Sequence, residues 1–379
     1  MANLCEFIAK PLLQRAGIRI PRGEVVHSPE AAFSAARRIG PCMVKAQVPT
    51  GKRGKAGGIR PAKSAKQAQC AAEEILAMEI EGHKVDTLLV EEQVLLLEEH
   101  YIAIVSDPVH AGPLIVHSTA GGMDVEESSA TSPDAILRFP VDIDFGPDAG
   151  KLSKQIAANG VRAPATKIAE VACALYRVYR GCDADLLEIN PLAILEDGGV
   201  MALDCKLALD DASLHRQPEL ADHAAAEHAS AREAEADAAG LKYIELSGNV
   251  GILANGAGLT MTTMDAVSHF GGSPANFLEI GGEAYTKAKD ALGILLRNPN
   301  IGSVLVNFCG AFARTDVMTE GFAEAWLDLK PEIPVFFSVH GTGSHEAVRC
   351  IREKLGMEPF ERMDDAVKAA VEAAHGAAR

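Results

Sequence analysis

The stretch from Asp185 to Leu207 contains three side chains whose oxygens could bind a cation together: Glu188, Asn190 and Asp204. Two apolar, strand-forming runs flank an Asp-Gly pair at 197–198, which is a hairpin signal. Because side chains two residues apart point to one face of a strand, Glu188 and Asn190 share a face. Pairing across the turn is expected to bring Asp204 roughly opposite Asn190. Hard oxygen ligands of this kind suit Mg²⁺, although the polar outer face of an ordinary hairpin would have the same pattern.

A basic, glycine-rich segment supplies a second group of residues suited to phosphate. Lys45 lies on a short apolar run, and with the following segment Pro49–Arg60 it makes up five basic residues and four glycines. Glycine lets backbone N–H groups approach a polyphosphate, while Lys and Arg offset its charge. The Walker spacing Gly-x-x-x-x-Gly-Lys-Ser/Thr is absent. Alone, such a loop does not separate a phosphate site from a solvated basic segment.

An acidic strand end follows the basic segment. Residues Leu88–Val94 are predicted to form a strand that runs into a hinge, where Glu91 could receive a ribose hydroxyl, and Glu99 begins a further strand. The chain therefore presents a lysine-bearing strand, a glycine loop, a hinge acid and a metal-binding hairpin, in that order. This order predicts a nucleotide site.

The predicted secondary structure around these residues differs between the first and second halves of the chain. In the first half, hairpins lie next to helices, which favours α+β layering over a pure parallel sheet. The predicted helices cover Glu6–Gln14, Pro29–Ile39, 61–80 and 163–180, and the predicted strands cover 42–48, 87–94, 101–106, 113–117 and the 185–207 hairpin. Residues 219–239, rich in Ala, Glu and His, are expected to form one solvated linking helix at a domain boundary.

Regular strand–turn–helix alternation begins at residue 242 and predicts a doubly wound parallel sheet, with ligands at the carboxyl ends of its strands. The predicted strands are Val250–Ala254, Ala275–Ile280, Ser303–Phe308 and Val335–Val339, and Tyr285–Leu296 is a predicted helix. Glycines after several strands let helix N-termini face an anion.

Length, charge and cysteine usage narrow the class of protein. A chain of 379 residues is expected to form two or three domains. A net charge of −16 argues against nucleic-acid binding. None of the eight cysteines forms a Cys-x-x-Cys pair, so zinc is not expected. No signal peptide and no apolar run of about twenty residues is visible, so we expect a soluble, cytosolic protein without membrane contact.

Beyond these patterns, the chain resembles the β subunit of succinyl-CoA synthetase (succinate–CoA ligase) from its first residues to nearly its last. The motifs that carry the resemblance occur in family order. They are Lys-Ala-Gln at 45–47, Arg-Gly-Lys-Ala-Gly-Gly at 53–58, Leu-Val-Glu at 89–91, Leu-Glu-Ile-Asn-Pro-Leu at 187–192, Leu-Asp-Cys-Lys-Leu-Ala-Leu-Asp-Asp at 203–211, Arg-Gln-Pro at 216–218, Asn-Gly-Ala-Gly-Leu-Thr-Met at 255–261 and Pro-Ala-Asn-Phe-Leu at 274–278. The resemblance implies an ATP-grasp domain over 1–235, with a sub-domain at about 21–99, and a flavodoxin-like CoA-ligase domain over 240–379.

The resemblance also implies roles for individual residues. Glu188 would face a phosphohistidine delivered by a partner α subunit, and Asn190 and Asp204 would hold Mg²⁺. Asn255 and the turn Ala311-Phe312-Ala313 would contribute to a dicarboxylate site. The residues implied to bind ATP are Lys45, Lys52, Arg53, Gly54, Glu91, Val94 and Glu99. The family passes a phosphoryl group from ATP to the histidine and then to the acid, and CoA, bound mainly by the α subunit, captures the acyl phosphate.

Departures from the family pattern leave several alternatives open. Phe312 replaces a smaller aliphatic residue, so the acid is succinate, malate or a related acid. Pro21 matches the ATP-preferring branch better than the GTP-preferring branch, and the assembly could be αβ or α₂β₂. No Gly-His-Ala-Gly loop is present; His340 and His345 are the candidates within the chain, and ordinary loop histidines explain them better. The alternative to an enzyme is a nucleotide- or CoA-sensing module, but such a module has no need for Glu188.

Overall fold

The computed structural model describes residues 1–51, 53–122, 136–159, 161, 164–226, 230–281 and 284–377. The chain divides into two compact units, Met1–Glu227 and His228–Arg379, which are described one at a time. None of the helices in these ranges is long and apolar enough to cross a membrane. All eight cysteines lie in these ranges and are free.

A four-stranded sheet in the first unit carries Lys45 and Glu91. Its order is β2-β7-β3-β4, and all of its pairs are antiparallel. The elements of this part are β2 (Gly23–Val26), α2 (Pro29–Ile39), β3 (Cys42–Ala46), β4 (Ile59–Ala62), α3 (Ala65–Leu76) and β7 (Leu88–Glu92), with a small ribbon of β5 (Glu79–Ile80) and β6 (His83–Lys84). The two helices begin at serine caps, because Ser28 accepts from the Ala31 amide and Ser64 from the Gln67 amide. Their buried alanines let them pack closely on the sheet.

An eight-stranded antiparallel sheet carries Glu99, Glu188 and Asn190. Its order is β10-β9-β8-β11-β13-β1-β14, and β12 pairs with β11. Its strands are β1 (Ala2–Leu4), β8 (Glu98–Asp107), β9 (Gly112–Ser118), β10 (Ile136–Pro140), β11 (Ala184–Ile194), β12 (Val200–Ala202), β13 (Lys206–Leu209) and β14 (Ala225–Ala226). The helices of this part are α1 (Glu6–Arg15), α4 (Ala149–Ala158), α5 (Ala165–Gly181) and α6 (Pro218–Ala221). Alternation along the strands buries Ile102, Ile104, Leu187 and Ile189 in one core with α1, α4 and α5.

The second unit is a mixed sheet with helices on both faces. Its order is β15-β17-β16-β18-β19; the last four strands are parallel and β15 is an antiparallel edge strand. Neighbouring residues of one strand enter different cores, Leu253 with Phe322 and Trp326, and Ile252 with Val367. The elements are α7 (Ala231–Ala238), β15 (Lys242–Glu245), β16 (Val250–Ala254), α8 (Ala257–His269), β17 (Asn276–Glu279), α9 (Ala284–Leu296), β18 (Ser303–Gly310), α10 (Thr315–Leu329), β19 (Val335–Gly341), α11 (Ser344–Cys350) and α12 (Met363–Ala377).

The parallel sheet confirms the doubly wound, flavodoxin-like arrangement predicted for the C-terminal half. The helix Pro29–Ile39 is also confirmed, and the helix predicted over 163–180 is present as Ala165–Gly181. Two predictions were wrong. The stretch 61–80 is not one helix, because its first residues pair with β3 as part of β4 and its last two form β5. The stretch 219–239 is not one helix either. Backbone pairing of β14 with β1 overrides the helical preference of its alanines.

Candidate active site

The hairpin predicted over 185–207 is present, and its register places Asp204 opposite Asn190. Glu188 pairs with Lys206 in β13, and Leu192 pairs with Ala202 in β12. The two pairs are four residues apart on both sides of the hairpin, so the register does not shift between them. The Leu203 amide also donates to the Pro191 carbonyl over 3.1 Å.

The first unit contains a cavity of about 820 Å³ that brings most of the predicted site residues together. A volume of several hundred cubic ångströms is typical of sites for small molecules and cofactors. The predicted residues in its lining are Lys45, Arg53, Gly54, Glu91, Val94, Glu99, Glu188, Asn190 and Asp204. Lys52 lies outside the described residues.

Two of the three cations predicted to bind the nucleotide, Lys45 and Arg53, are already held by carboxylates. The Lys45 ammonium donates to Glu6 Oε1 over 3.0 Å and to the Leu203 carbonyl over 2.6 Å, and it lies 2.7 Å from Glu91 Oε2. Arg53 Nη2 donates to both oxygens of Asp204 over 2.6 and 2.8 Å. These are charge-assisted contacts, which are stronger than hydrogen bonds between neutral groups.

Sequence reasoning missed two members of this cluster, Glu6 and Lys10, both on α1. Glu6 Oε1 lies 2.7 Å from the Lys10 ammonium, and Glu6 Oε2 accepts from Arg53 Nη1 over 2.8 Å. Lys10 in turn donates to both oxygens of Glu91 over 2.6 and 2.7 Å. The signal was available in the sequence. Glu6 and Lys10 lie one helical turn apart on the same buried stripe as Ala9 and Leu13, where a charge needs a partner.

The cluster balances its own charge with three cations, Lys10, Lys45 and Arg53, and three carboxylates, Glu6, Glu91 and Asp204. Burial alone would raise the pKa of the Glu6 carboxyl, but its three cationic neighbours hold that pKa well below its ordinary value. Burial would lower the pKa of Lys45, and the surrounding carboxylates raise it instead. Glu6 and Lys45 therefore stabilise each other in their charged forms.

The oxygen donors near Asn190 fit a hard divalent cation that is shared with a substrate. Asp204 supplies a carboxylate and Asn190 an amide oxygen, and Asn190 Oδ1 also accepts from the Gly122 amide over 2.7 Å. Gly122 has a φ of +72°, a backbone conformation that favours glycine. Within the described residues no three His, Cys, Asp or Glu side chains form a metal site. This is the donor set expected for Mg²⁺ completed by phosphate and water oxygens, and not for a dedicated protein cage.

Glu188 lies on the same face of β11 as Asn190, and both residues line the cavity. Its Oε2 accepts from the Tyr101 hydroxyl over 3.3 Å, and Lys206 is its direct partner across the strand pair. Lys206 also lines the cavity, and sequence reasoning did not single it out. The carboxylate is thus held at the cavity wall on a strand, where its position is well defined.

In the second unit, Asn255 and the turn 311–313 lie at the carboxyl edge of the parallel sheet, where such folds bind ligands. Asn255 follows β16 and joins it to the end of β18, because its side chain donates to the Cys309 carbonyl over 2.9 Å and accepts from the Cys309 amide over 2.8 Å. Thr342 Oγ1 donates to the Ala311 carbonyl over 3.0 Å. Phe312 is fully exposed, and His340 and His345 are exposed.

Comparison with known proteins decides the family. Residues 3–194 match the ATP-grasp domain family and residues 253–372 match the CoA-ligase family. The chain is 38% identical to the β subunit of a GDP-forming succinate–CoA ligase from Thermus thermophilus, over 99% of this chain and 100% of that one. It is 41% identical to the β subunit of an ADP-forming succinate–CoA ligase from Rubrobacter xylanophilus, over 98% of both chains. The chain belongs to the succinate–CoA ligase β-subunit family.

Membership confirms the prediction of an acid–CoA ligase β subunit and of an ATP-grasp domain followed by a CoA-ligase domain. Among solved structures, the ATP citrate lyase of Methanothrix soehngenii in complex with citrate and coenzyme A is similar, with a TM-score of 0.67 and 22% identity. The similarity covers 98% of this chain and 99% of that one, and it supports the same fold.

Proposed function

We propose that this β subunit binds Mg²⁺ and ATP in the cavity of the first unit. Together with an α subunit it would convert succinate, or a closely related dicarboxylate, and CoA to the acyl-CoA. The observation that carries the proposal is that nine of the predicted residues line one cavity, where the buried cations Lys45 and Arg53 contact carboxylates. The names of the relatives support the acid, the partner subunit and a purine nucleotide.

The cations supply the electrostatic part of the reaction. Lys45 and Arg53 would exchange part of their carboxylate contacts for phosphate oxygens when the nucleotide arrives. Asn190 and Asp204 would hold Mg²⁺, which would offset charge on the transferring phosphoryl group. Glu91 and Glu99 would then be available to the ribose side of the nucleotide.

Glu188 would act on the partner's histidine. As the bond between the γ-phosphorus and the leaving ADP oxygen breaks, a bond forms between that phosphorus and a neutral imidazole nitrogen of the α subunit. The imidazole becomes positively charged in this step. A carboxylate at the position of Glu188 orients the ring and stabilises that charge.

The acid site would lie at the carboxyl edge of the second unit's sheet. Asn255 and the backbone of 311–313 offer hydrogen-bond donors to a carboxylate, and the exposed Phe312 side chain occupies the position where the family has a smaller aliphatic. Phe312 is therefore the residue through which this chain would differ in acid preference.

The test is to purify the chain with the α subunit from its own organism and to measure nucleoside diphosphate release. The panel combines ATP or GTP with CoA and with succinate, malate or citrate. Release that requires both CoA and one dicarboxylate supports the proposal and identifies the acid. Nucleotide binding without turnover on any acid would instead make the chain a sensing module.

A further inference from the structure

We infer that Glu6 and Lys10 of α1 are positioning residues of the nucleotide site, which set where Lys45, Arg53 and Glu91 stand on the cavity wall. The inference rests on the proposed function, because it concerns the same nucleotide. It goes further by assigning the N-terminal helix, which is not part of either sheet, a task in nucleotide binding.

Glu6 is the common anchor of the two phosphate-facing cations. Its Oε1 contacts Lys10 at 2.7 Å and Lys45 at 3.0 Å, and its Oε2 accepts from Arg53 at 2.8 Å and from Gln47 Nε2 at 3.3 Å. The side chain has no solvent exposure. Lys45 lies on β3 and Arg53 lies in the loop after it. One carboxylate, Glu6, therefore fixes the distance between a cation on a strand and a cation on a loop.

Lys10 joins the two sheets at the cavity. It binds both oxygens of Glu91, on β7 of the smaller sheet, and donates over 2.8 Å to the carbonyl of Leu203, which precedes Asp204 beside the larger sheet. The helix itself packs against α5 and β13 of the larger sheet. Lys10 therefore holds the hinge acid at a fixed place relative to the predicted metal ligands.

The division of tasks follows from which carboxylates a phosphate can replace. Asp204, which pairs with Arg53, is 28% exposed, so a bound triphosphate competes with it directly. Glu6 also borders the cavity, but its side chain has no solvent exposure, so it stays in contact with Arg53 and Lys45 after that exchange. It then keeps two like charges a fixed distance apart in a poorly solvated site, where they would otherwise repel each other.

Stability alone is a weak reason for such a network. Desolvating six charges offsets most of their attraction, and apolar side chains of similar volume often serve a fold equally well. Five of the six members of this network line the cavity, and four of them are residues of the predicted nucleotide and metal sites. That placement assigns it to the binding of the nucleotide.

The test uses a charge-balanced double variant in the complex with the α subunit, Glu6→Gln with Lys10→Met, which removes one anion and one cation. We expect the KM for ATP to rise at least about tenfold, because misplacing a binding group by about 1 Å costs up to about 100-fold. The KM values for the acid and for CoA should stay within about twofold of wild type, since those substrates meet other residues. The single variant Glu6→Asp keeps the charge but shortens the side chain, so its KM for ATP should rise by a smaller factor than that of the double variant.

The matched control is Glu24→Gln with Arg38→Gln, which removes an ion pair of the same unit that does not line the cavity. It should leave every KM unchanged. An unchanged KM for ATP in the Glu6/Lys10 double variant would overturn the inference, as would a uniform fall of activity that follows the loss of folded protein. If the double variant does not fold, Glu6→Asp carries the test: a rise of the KM for ATP alone supports the inference, and none overturns it. Failure of the proposed function is distinct, because the wild-type complex would then show no nucleotide turnover.

Discussion

Asp204 has two tasks in this structure, and removing its carboxylate should affect both. It is a predicted metal ligand, and it also accepts both hydrogen bonds from Arg53 Nη2, at 2.6 and 2.8 Å. In Asp204→Ala, the contacts that remain to Arg53 among the described residues are Glu6 at 2.8 Å and the Ala46 carbonyl at 2.9 Å, so its buried charge is less well compensated. The variant should therefore lose nucleotide turnover and also some stability of the first unit.

The magnitude follows from the contacts. A hydrogen bond to a charged group contributes about 1.5–3 kcal/mol, and breaking a fully buried ion pair costs about 3–5 kcal/mol. The Asp204 side chain is 28% exposed, so water replaces part of what is lost. We expect a cost of about 2 kcal/mol, which lowers the melting temperature of a unit of this size by about 4–8 °C. Asp204→Asn keeps one oxygen for Arg53 and should lose about half as much.

The assay has to report on the first unit specifically. The single tryptophan, Trp326, lies in the second unit, so its fluorescence does not serve. Hydrogen exchange of β3 and β11 amides measures the opening of the first unit, and diphosphate release with the α subunit measures turnover. We expect turnover to fall at least about 100-fold, since even residues behind metal ligands cost about 10–100-fold. Turnover near wild type would refute the metal assignment, and unchanged exchange would refute the support of Arg53 by Asp204.

Three further predictions concern phosphoryl transfer and acid sensitivity. Glu188→Gln keeps its shape but not its charge, so ATP affinity should survive while transfer to the α subunit falls about 100-fold or more; loss of ATP binding instead would place Glu188 in the nucleotide site. Incubated alone with labelled ATP, the chain should stay unlabelled and label should appear on added α subunit; acid-labile phosphate lost in His340→Ala or His345→Ala would contradict this. Burial, helped by His100, lowers the pKa of His117 from 6.5 to about 4, so the unfolded chain binds a proton between those values that the folded chain does not. The free energy of unfolding should therefore fall by up to about 3 kcal/mol as the pH drops through that window. Denaturant titrations followed by hydrogen exchange of β9 would measure this fall. An equally steep fall in His117→Gln would assign the loss of stability to other groups.

Much of the site was predictable because its geometry is local. Strand alternation alone puts Glu188 and Asn190 on one face, and an Asp-Gly turn of the observed length brings Asp204 opposite Asn190. The same holds for the parallel sheet of the second unit, where apolar runs and glycine turns mark each strand end. These features depend on a few neighbouring residues, so local sequence patterns are enough to predict them.

The partners of the buried charges depend on tertiary packing and cannot be read from local sequence. Lys10 contacts Glu91 and Leu203, which lie 81 and 193 residues away, and Arg53 contacts Asp204 at a separation of 151. The charged residues on the apolar stripe of α1 indicate that buried partners exist, but no local sequence pattern identifies those partners. A buried charge is stabilised by whichever opposite charges the packing brings within about 3 Å, and the docking of α1 on β13 and α5 makes that selection.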